Sequence, residues 1–418
     1  MKLTHLMLLA VAISVGCQEK TGDTEEFIDR IPETDRFPVV AWHGVRAEHA
    51  TEERFKEAEN MGITINYSRM GNVETALKAL DEAAKTNVKL IIECEELYNS
   101  SKRRDAVRAL MNHPALEGYF CADEPSPDKF EDIATMMNEI RLLDTEHICY
   151  ANIFPTGGPD HYAALGVKDY REYVQKYLDT CPATFLSFDK YPVVNDGTGN
   201  IYVLAEWYQA LEIASDEARK HGFDLWTFML TCPHTSYPQP TVDHLRLQAY
   251  SNLAYGSQVL QCFTYWTPEV ADPEFWNYRN APIEEDGTRT ETYDIVKSVL
   301  DEIQTVAWIF EDCTVEGVWH LAPEGTVPTE TKELTEMPEM VEDISVADEE
   351  KALVSILKNH GYTFLLFQNT DVNNACRSYI KMKPGARCVM KDGSVVPAED
   401  VNPMSILSPG DVRIYMWK

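Results

Sequence analysis

None of the ten cysteines forms a CxxC pair or a similar metal-ligand spacing, so no zinc site is expected. No GxGxxG opens a helix after the first strand-like run, which argues against a doubly wound dinucleotide-binding sheet. There is no glycine-rich phosphate loop and no basic cluster, which disfavours a phosphorylated or otherwise anionic substrate. Positive charge is scarce: 37 Lys and Arg stand against 68 Asp and Glu, a formal net charge of -31. Nucleic acid and an anionic membrane surface would both be repelled. The N-terminal apolar run, Leu6 to Val15, is too short to span a bilayer as a mature helix.

What is present is globular. Hydrophobic residues make up 44% of 418, with 8 Trp, 20 Tyr and 15 Phe, which is ample material for a core. Lys2, the short apolar run and the ending Ser14-Val15-Gly16-Cys17 read as a signal peptide over residues 1–16. That ending resembles a bacterial lipobox. The resemblance implies cleavage before Cys17, lipidation of its sulfur, and anchoring in the cell envelope at the outer membrane. Residues 17–36 read as an acidic tether. Nine cysteines remain, an odd number. Cys94, Cys121, Cys149, Cys232 and Cys262 lie inside apolar runs, so buried free thiols are expected rather than a disulfide framework.

From residue 37 to 312, short β-rich runs alternate with longer helical patterns. The eight runs are 37–45, 62–70, 88–98, 116–125, 147–155, 184–192, 223–234 and 257–266. Stretches such as "VETALKALDEAAKTN" and "VLAEWYQALEIASDEARKHG" separate them, the latter ended by Gly222. Eight strands with intervening helices is the count of a (β/α)8 TIM barrel, and the apolar runs fit a parallel sheet covered on both faces. From 313 to 418 the texture changes to short strands and turns, including the hairpin signal "KDGS", which reads as a small antiparallel β-sandwich. The acidic segment "APEGTVPTETKELTEMPEMVED" reads as a long loop. The chain is expected to be a monomer and to need no cofactor.

Barrel active sites lie at the C-terminal ends of the strands. The residues ending the eight runs are Trp42 and His43; Asn66, Tyr67 and Arg69; Glu93, Glu95 and Glu96; Asp123 and Glu124; Asn152; Asp189 and Tyr191; Thr231 and His234; and Tyr265 and Trp266. Carboxylates can perform glycosidic acid–base chemistry, and aromatic faces stack on the apolar faces of sugar rings. A neutral carbohydrate is therefore the expected substrate.

The fourth run, "GYFCADEP", ends in Glu124-Pro125 and resembles clan A of the glycoside hydrolases. In that clan a Glu at the end of strand four is the general acid/base, usually after Asn; here Asp123 precedes it. The eighth run, "YGSQVLQCFTYW", resembles the barrel β-galactosidases, which implies Trp266 as the floor of the sugar site. The closing "PGDVRIYMW" resembles the last strand of the β-sandwich that follows many such barrels. One element departs from the pattern. Strand seven, "DLWTFMLTCPH", carries no carboxylate where the clan keeps its nucleophile. Three explanations stand: a strand count off by one, a second carboxylate from elsewhere, or a protein that does not hydrolyse. Asp189 in "SFDKYP" is the best substitute, as base or nucleophile, with Glu93 and Glu95 on strand three in reserve. Trp42, His43, Tyr67, Arg69, Glu95, Asp123, Asn152, Tyr191, His234 and Trp266 are the candidate substrate-binding residues. The alternative function is a surface glycan-binding lipoprotein on a degenerate hydrolase barrel.

Overall fold

A computed structural model describes residues 36–418. The signal-peptide and lipobox reading, Cys17 included, lies outside the described residues.

All eight anticipated runs form strands of one closed parallel barrel. They are Val39–Trp42, Ile65–Arg69, Lys89–Glu93, Leu116–Asp123, Ile148–Ile153, Phe185–Phe188, Asp224–Leu230 and Ser257–Phe263, numbered one to eight below. Each strand pairs with its neighbours in chain order, and strand one closes on strand eight. Helices begin where the sequence supplies an acceptor for a free amide. Asn72 accepts from Thr75 N, Asp169 from Glu172 N and Thr241 from His244 N. Ala205–His221 ends on Gly222 in the left-handed region (φ 68°), whose amide closes on Ala218 and Arg219.

The barrel interior is filled by flat rings more than by branched aliphatics. Trp42, Tyr67, Phe120, Tyr150, Phe185, Trp226 and Phe228 form one buried cluster with Val40, Ile65, Ile91 and Val259. Tyr67 stacks on Phe120 at 4.4 Å, and Phe185 stacks on Trp226 at 4.2 Å. Strands four and five approach too closely for a side chain at Gly118. A Cβ there would meet the Ile148 carbonyl oxygen at 2.4 Å.

Helix Glu291–Phe310 follows the barrel, and two antiparallel sheets complete the chain. The six-stranded sheet runs in the order 314–321, 352–359, 362–369, 412–417, 387–389, 395–397. The three-stranded sheet has the order 341–346, 376–382, 404–407. Val354, Ile356, Leu365, Phe367, Ile380, Leu407, Tyr415 and Trp417 share one buried cluster between them. The strand at 341–346 corrects the loop reading, which ran through Asp343. The hairpin signal at 391–394 joins strands 387–389 and 395–397, whereas strand 404–407 was not foreseen. The nine described cysteines are free thiols, eight of them buried.

Candidate active site

Strand four carries the centre of the site through two local irregularities. A β-bulge lies between Phe120 and Ala122, where strand four has one residue more than strand five. Phe120 sits beside Tyr150, and Asp123 beside Asn152. The bulge therefore switches parity, so that a core ring and a rim carboxylate three positions apart share one face. Glu124 then adopts a left-handed backbone (φ 43°), with its amide bonded to the Asn152 carbonyl at 2.8 Å. Regular alternation would turn Glu124 away from Asp123, yet both line the same cleft of about 450 Å³. His43, at the end of strand one, has the same positive φ of 43°. Left-handed non-glycine residues are strained and concentrate at functional sites.

Asn152 ties the acids together. Its Nδ2 donates to Asp189 Oδ1 at 2.8 Å and to Asp123 Oδ1 at 3.4 Å. The two carboxyl oxygens are therefore no more than about 6 Å apart, the length of those bonds laid end to end. Asn152 Oδ1 accepts from Ser187 Oγ at 2.9 Å, and Gln261 Nε2 donates to the same Ser187 oxygen at 2.9 Å. Tyr150 donates to Gln261 Oε1 at 2.7 Å. This buried chain runs from strand eight across strands six and five and fixes the Asn152 amide. Ser187 and Asp189 both bond to Asn152, in keeping with the shared face that strand alternation predicts for them.

The electrostatics follow from the crowding. Burial first, then the charges of Asp189 and Asp123, push the Glu124 carboxyl up to about 8. Burial and the Asp123 charge raise Asp189 to about 7, against the Asn152 hydrogen bond and the Lys190 charge, which lower it. Asp123 is also raised, chiefly by burial, although the cleft leaves it in contact with solvent. His43 is lowered to about 4 by burial, then by Arg69 and Arg46, so it is neutral at neutral pH. His234 donates from Nδ1 to the Cys232 carbonyl at 2.9 Å, which leaves Nε2 as an acceptor.

A folded-state carboxyl pKa above its unfolded value carries a defined pH dependence. The unfolded chain loses its proton first, so stability is full below the unfolded pKa and is lost as pH rises toward the folded one. Glu124→Gln removes its share of that slope. Thermal melts should show the variant more stable than the parent at pH 9, with the gap closing near pH 4. A gap independent of pH would contradict the shift assigned to Glu124.

Of the sequence candidates, Trp42, His43, Asp123, Glu124, Asn152, Asp189, Tyr191 and His234 line this cleft. Four others do not, and each has a physical reason. Trp266 is fully buried away from it, stacked on His49 at 4.9 Å with Arg46 and Arg54 over its ring, so Trp266 does not floor the cleft. Tyr67 belongs to the barrel interior and donates to Glu93 Oε2 at 2.6 Å. Arg69 is exposed and pairs with Glu93 at 3.3 Å, not with Glu124. Glu95 starts the short helix Glu95–Tyr98, so strand three has already ended and Glu93 and Glu95 do not share a strand face. The residues that reading missed are Phe228, Tyr237, Phe263, Trp276 and Tyr278, which wall the cleft, together with Pro155 and Lys190. Strand alternation carries the signal for Phe228 and Phe263. Trp276 ends the short helix Pro273–Trp276 and Tyr278 follows it, in a segment whose path no periodicity encodes.

Strand seven ends at Leu230, and Thr231 Oγ1 donates to the Thr264 carbonyl at 2.9 Å. The strand count is therefore as read, and the end of strand seven holds no carboxylate.

No protein-family model matches the chain, and no curated protein sequence matches it. Solved structures do. A β-galactosidase from Bacillus circulans sp. alkalophilus is similar at a TM-score of 0.56 and 9% identity, over 92% of this chain and 99% of that one. A β-galactosidase from the psychrophilic Marinomonas ef1 is similar at a TM-score of 0.46 and 11% identity, over 65% of this chain. One from the haloarchaeon Halorubrum lacusprofundi reaches 0.43 and 11%, over 64% of this chain. The match spans only 60% and 58% of the length of those last two proteins. The first likeness establishes the architecture, a (β/α)8 barrel followed by antiparallel sheets.

Proposed function

We propose that the chain is a glycoside hydrolase acting on a neutral oligo- or polysaccharide. The observation that carries the reading is the convergence of Asp123, Glu124 and Asp189 in one aromatic-walled cleft at the C-terminal ends of the barrel strands. Glu124 holds its proton to the higher pH and is the general acid, protonating the departing glycosidic oxygen. Asp189, held by the Asn152 amide, serves the anomeric carbon, either activating water or attacking directly. Asp123 raises the pKa of both and shares the Asn152 amide. The fold held in common with a β-galactosidase supports the class and leaves the sugar open. The same reading keeps the protein in the cell envelope, tethered through lipid on Cys17; an intact-mass measurement of the mature N-terminus decides that part.

The test is product release. The protein is incubated with aryl glycosides and with neutral galacto-, manno- and xylo-oligosaccharides, and proton NMR follows the first anomer formed. Inversion assigns Asp189 as base, and retention assigns it as nucleophile. A second reading, glycan binding without turnover, is favoured by one observation: the end of strand seven bears Thr231 and Cys232 and no carboxylate. Calorimetric binding with no product after long incubation would establish it in place of the first.

A further inference from the structure

The cleft does not end at the carboxylates. From Tyr191, two positions after Asp189 in sequence, rings follow one another outward. Tyr191 packs against Tyr237 at 5.6 Å and Phe263 at 5.5 Å, and both of those rings meet His234. His234 meets Tyr278 at 4.6 Å, and Tyr278 lies nearly parallel to Trp276, 8° between planes at 5.9 Å. Trp276 lines the cleft and is also 40% exposed, with Phe275 edge-on beside it and 62% exposed. Large rings left open to water need a reason when they continue a binding cleft.

The outer rings are held in place by a built backbone. The Thr235 amide donates to Asn277 Oδ1 at 2.8 Å and to the Trp276 carbonyl at 3.2 Å. The Cys232 thiol reaches the Arg279 carbonyl at 3.5 Å, and Arg279 bonds to the carbonyl and side-chain oxygens of Asn277. Thr235 and Asn277 both take left-handed backbones (φ 45° and 42°), so the clasp between these two loops contains two strained residues. At the inner end of the wall, the Tyr191 hydroxyl is buried without a hydrogen-bond partner, although its ring lines the cleft.

We propose that Trp276, backed by Tyr278, is a second sugar-binding platform that holds a further unit of the same glycan chain whose reacting unit sits between Glu124 and Asp189. The inference rests on the glycosidase reading. It deepens that reading by making the substrate an extended neutral oligosaccharide rather than a single terminal sugar on a small leaving group. One ring of the ligand lies on the Trp276 face. The chain's charge of -31 favours a neutral saccharide over an acidic one at this surface.

The test uses the full chain carrying Glu124→Gln to prevent turnover, with and without Trp276→Ala. Calorimetry measures affinity for β-1,4-linked galacto-, manno- and xylo-oligosaccharides of two to six units. With Trp276 intact, affinity for the bound series rises with length. Trp276→Ala should remove roughly five- to tenfold of the affinity for the longer members. Disaccharide affinity should change by less than about twofold, and Trp276→Phe should keep most of the gain. Circular dichroism checks that the variants are folded. Unchanged length dependence in Trp276→Ala overturns the platform and leaves the glycosidase reading standing if the parent protein releases product. Absence of binding and of product for every sugar in the panel overturns both.

Discussion

Glu124→Gln is expected to reduce turnover by roughly 10²–10⁴-fold while leaving the fold and glycan affinity in place. Glutamine keeps the size and planar shape of the side chain and cannot deliver a proton to a leaving oxygen. The carboxyl is suited to that delivery because burial and two neighbouring acids keep it protonated to about pH 8. Asp189→Asn should cause a loss of similar size, for a different reason. The Asn152 Nδ2 donor would face an amide in place of a carboxylate, and the group assigned to attack or to activate water would be gone. The leaving group separates the roles. A substrate with an activated aryl leaving group needs little protonation, so Glu124→Gln should recover much of its rate on it and Asp189→Asn should not. Parental activity in either variant on a natural oligosaccharide would remove that residue from the chemistry.

The second large effect is on stability. Gln368 is fully buried in strand 362–369 and joins the sheets to the barrel. Its Nε2 donates to the carbonyls of Arg246 (3.2 Å), Leu247 (3.1 Å) and Gly410 (3.1 Å), and its Oε1 accepts from Ser251 Oγ at 2.6 Å. Gly410 is itself pressed against the same helix, Val242–Ala254. A Cβ there would meet Asp243 O at 2.4 Å, and its φ is +69°. Gln368→Leu keeps approximate volume and deletes every one of these bonds in a site that water does not reach. Leaving such groups unpaired costs about 1–3 kcal/mol each, so a loss of roughly 2–5 kcal/mol is expected by urea unfolding. A loss below about 0.5 kcal/mol would mean that those groups find other partners.

The eight barrel strands and the switch to antiparallel strands were legible because period-2 and period-3.6 patterns report which faces are buried. Strand 341–346 was not, because its residues VEDISV alternate weakly within an acidic stretch. Glu124 and Asp189 were legible as strand-end acids. Glu95 was not, because Cys94 already stands as the N-cap of a helix, four positions before the run as read ends at Tyr98. Trp266 was misplaced for a different reason: residues beyond the last ladder pair follow loop geometry, and the chain turns its indole toward Arg46 and Arg54. The pairing of Asp123 with Asn152 depends on one bulged residue, and a one-residue parity shift has no compositional signature.

The scattered thiols also make the molecule its own recorder of opening. Cys94, Cys232 and Cys262 lie in the barrel part of the chain, and Cys376 and Cys388 in the sheets, each buried and each raised well above the ordinary thiol range by that burial. A maleimide can modify such sulfurs only in molecules that have opened around them. Modification read site by site by mass spectrometry thus dates the opening of each part separately. Equal rates across both sets would mean that barrel and sheets come apart in one event. In Gln368→Leu, Cys376 and Cys388 should be labelled ahead of Cys262, because the variant cuts the bonds that oblige the sheets to wait for the barrel.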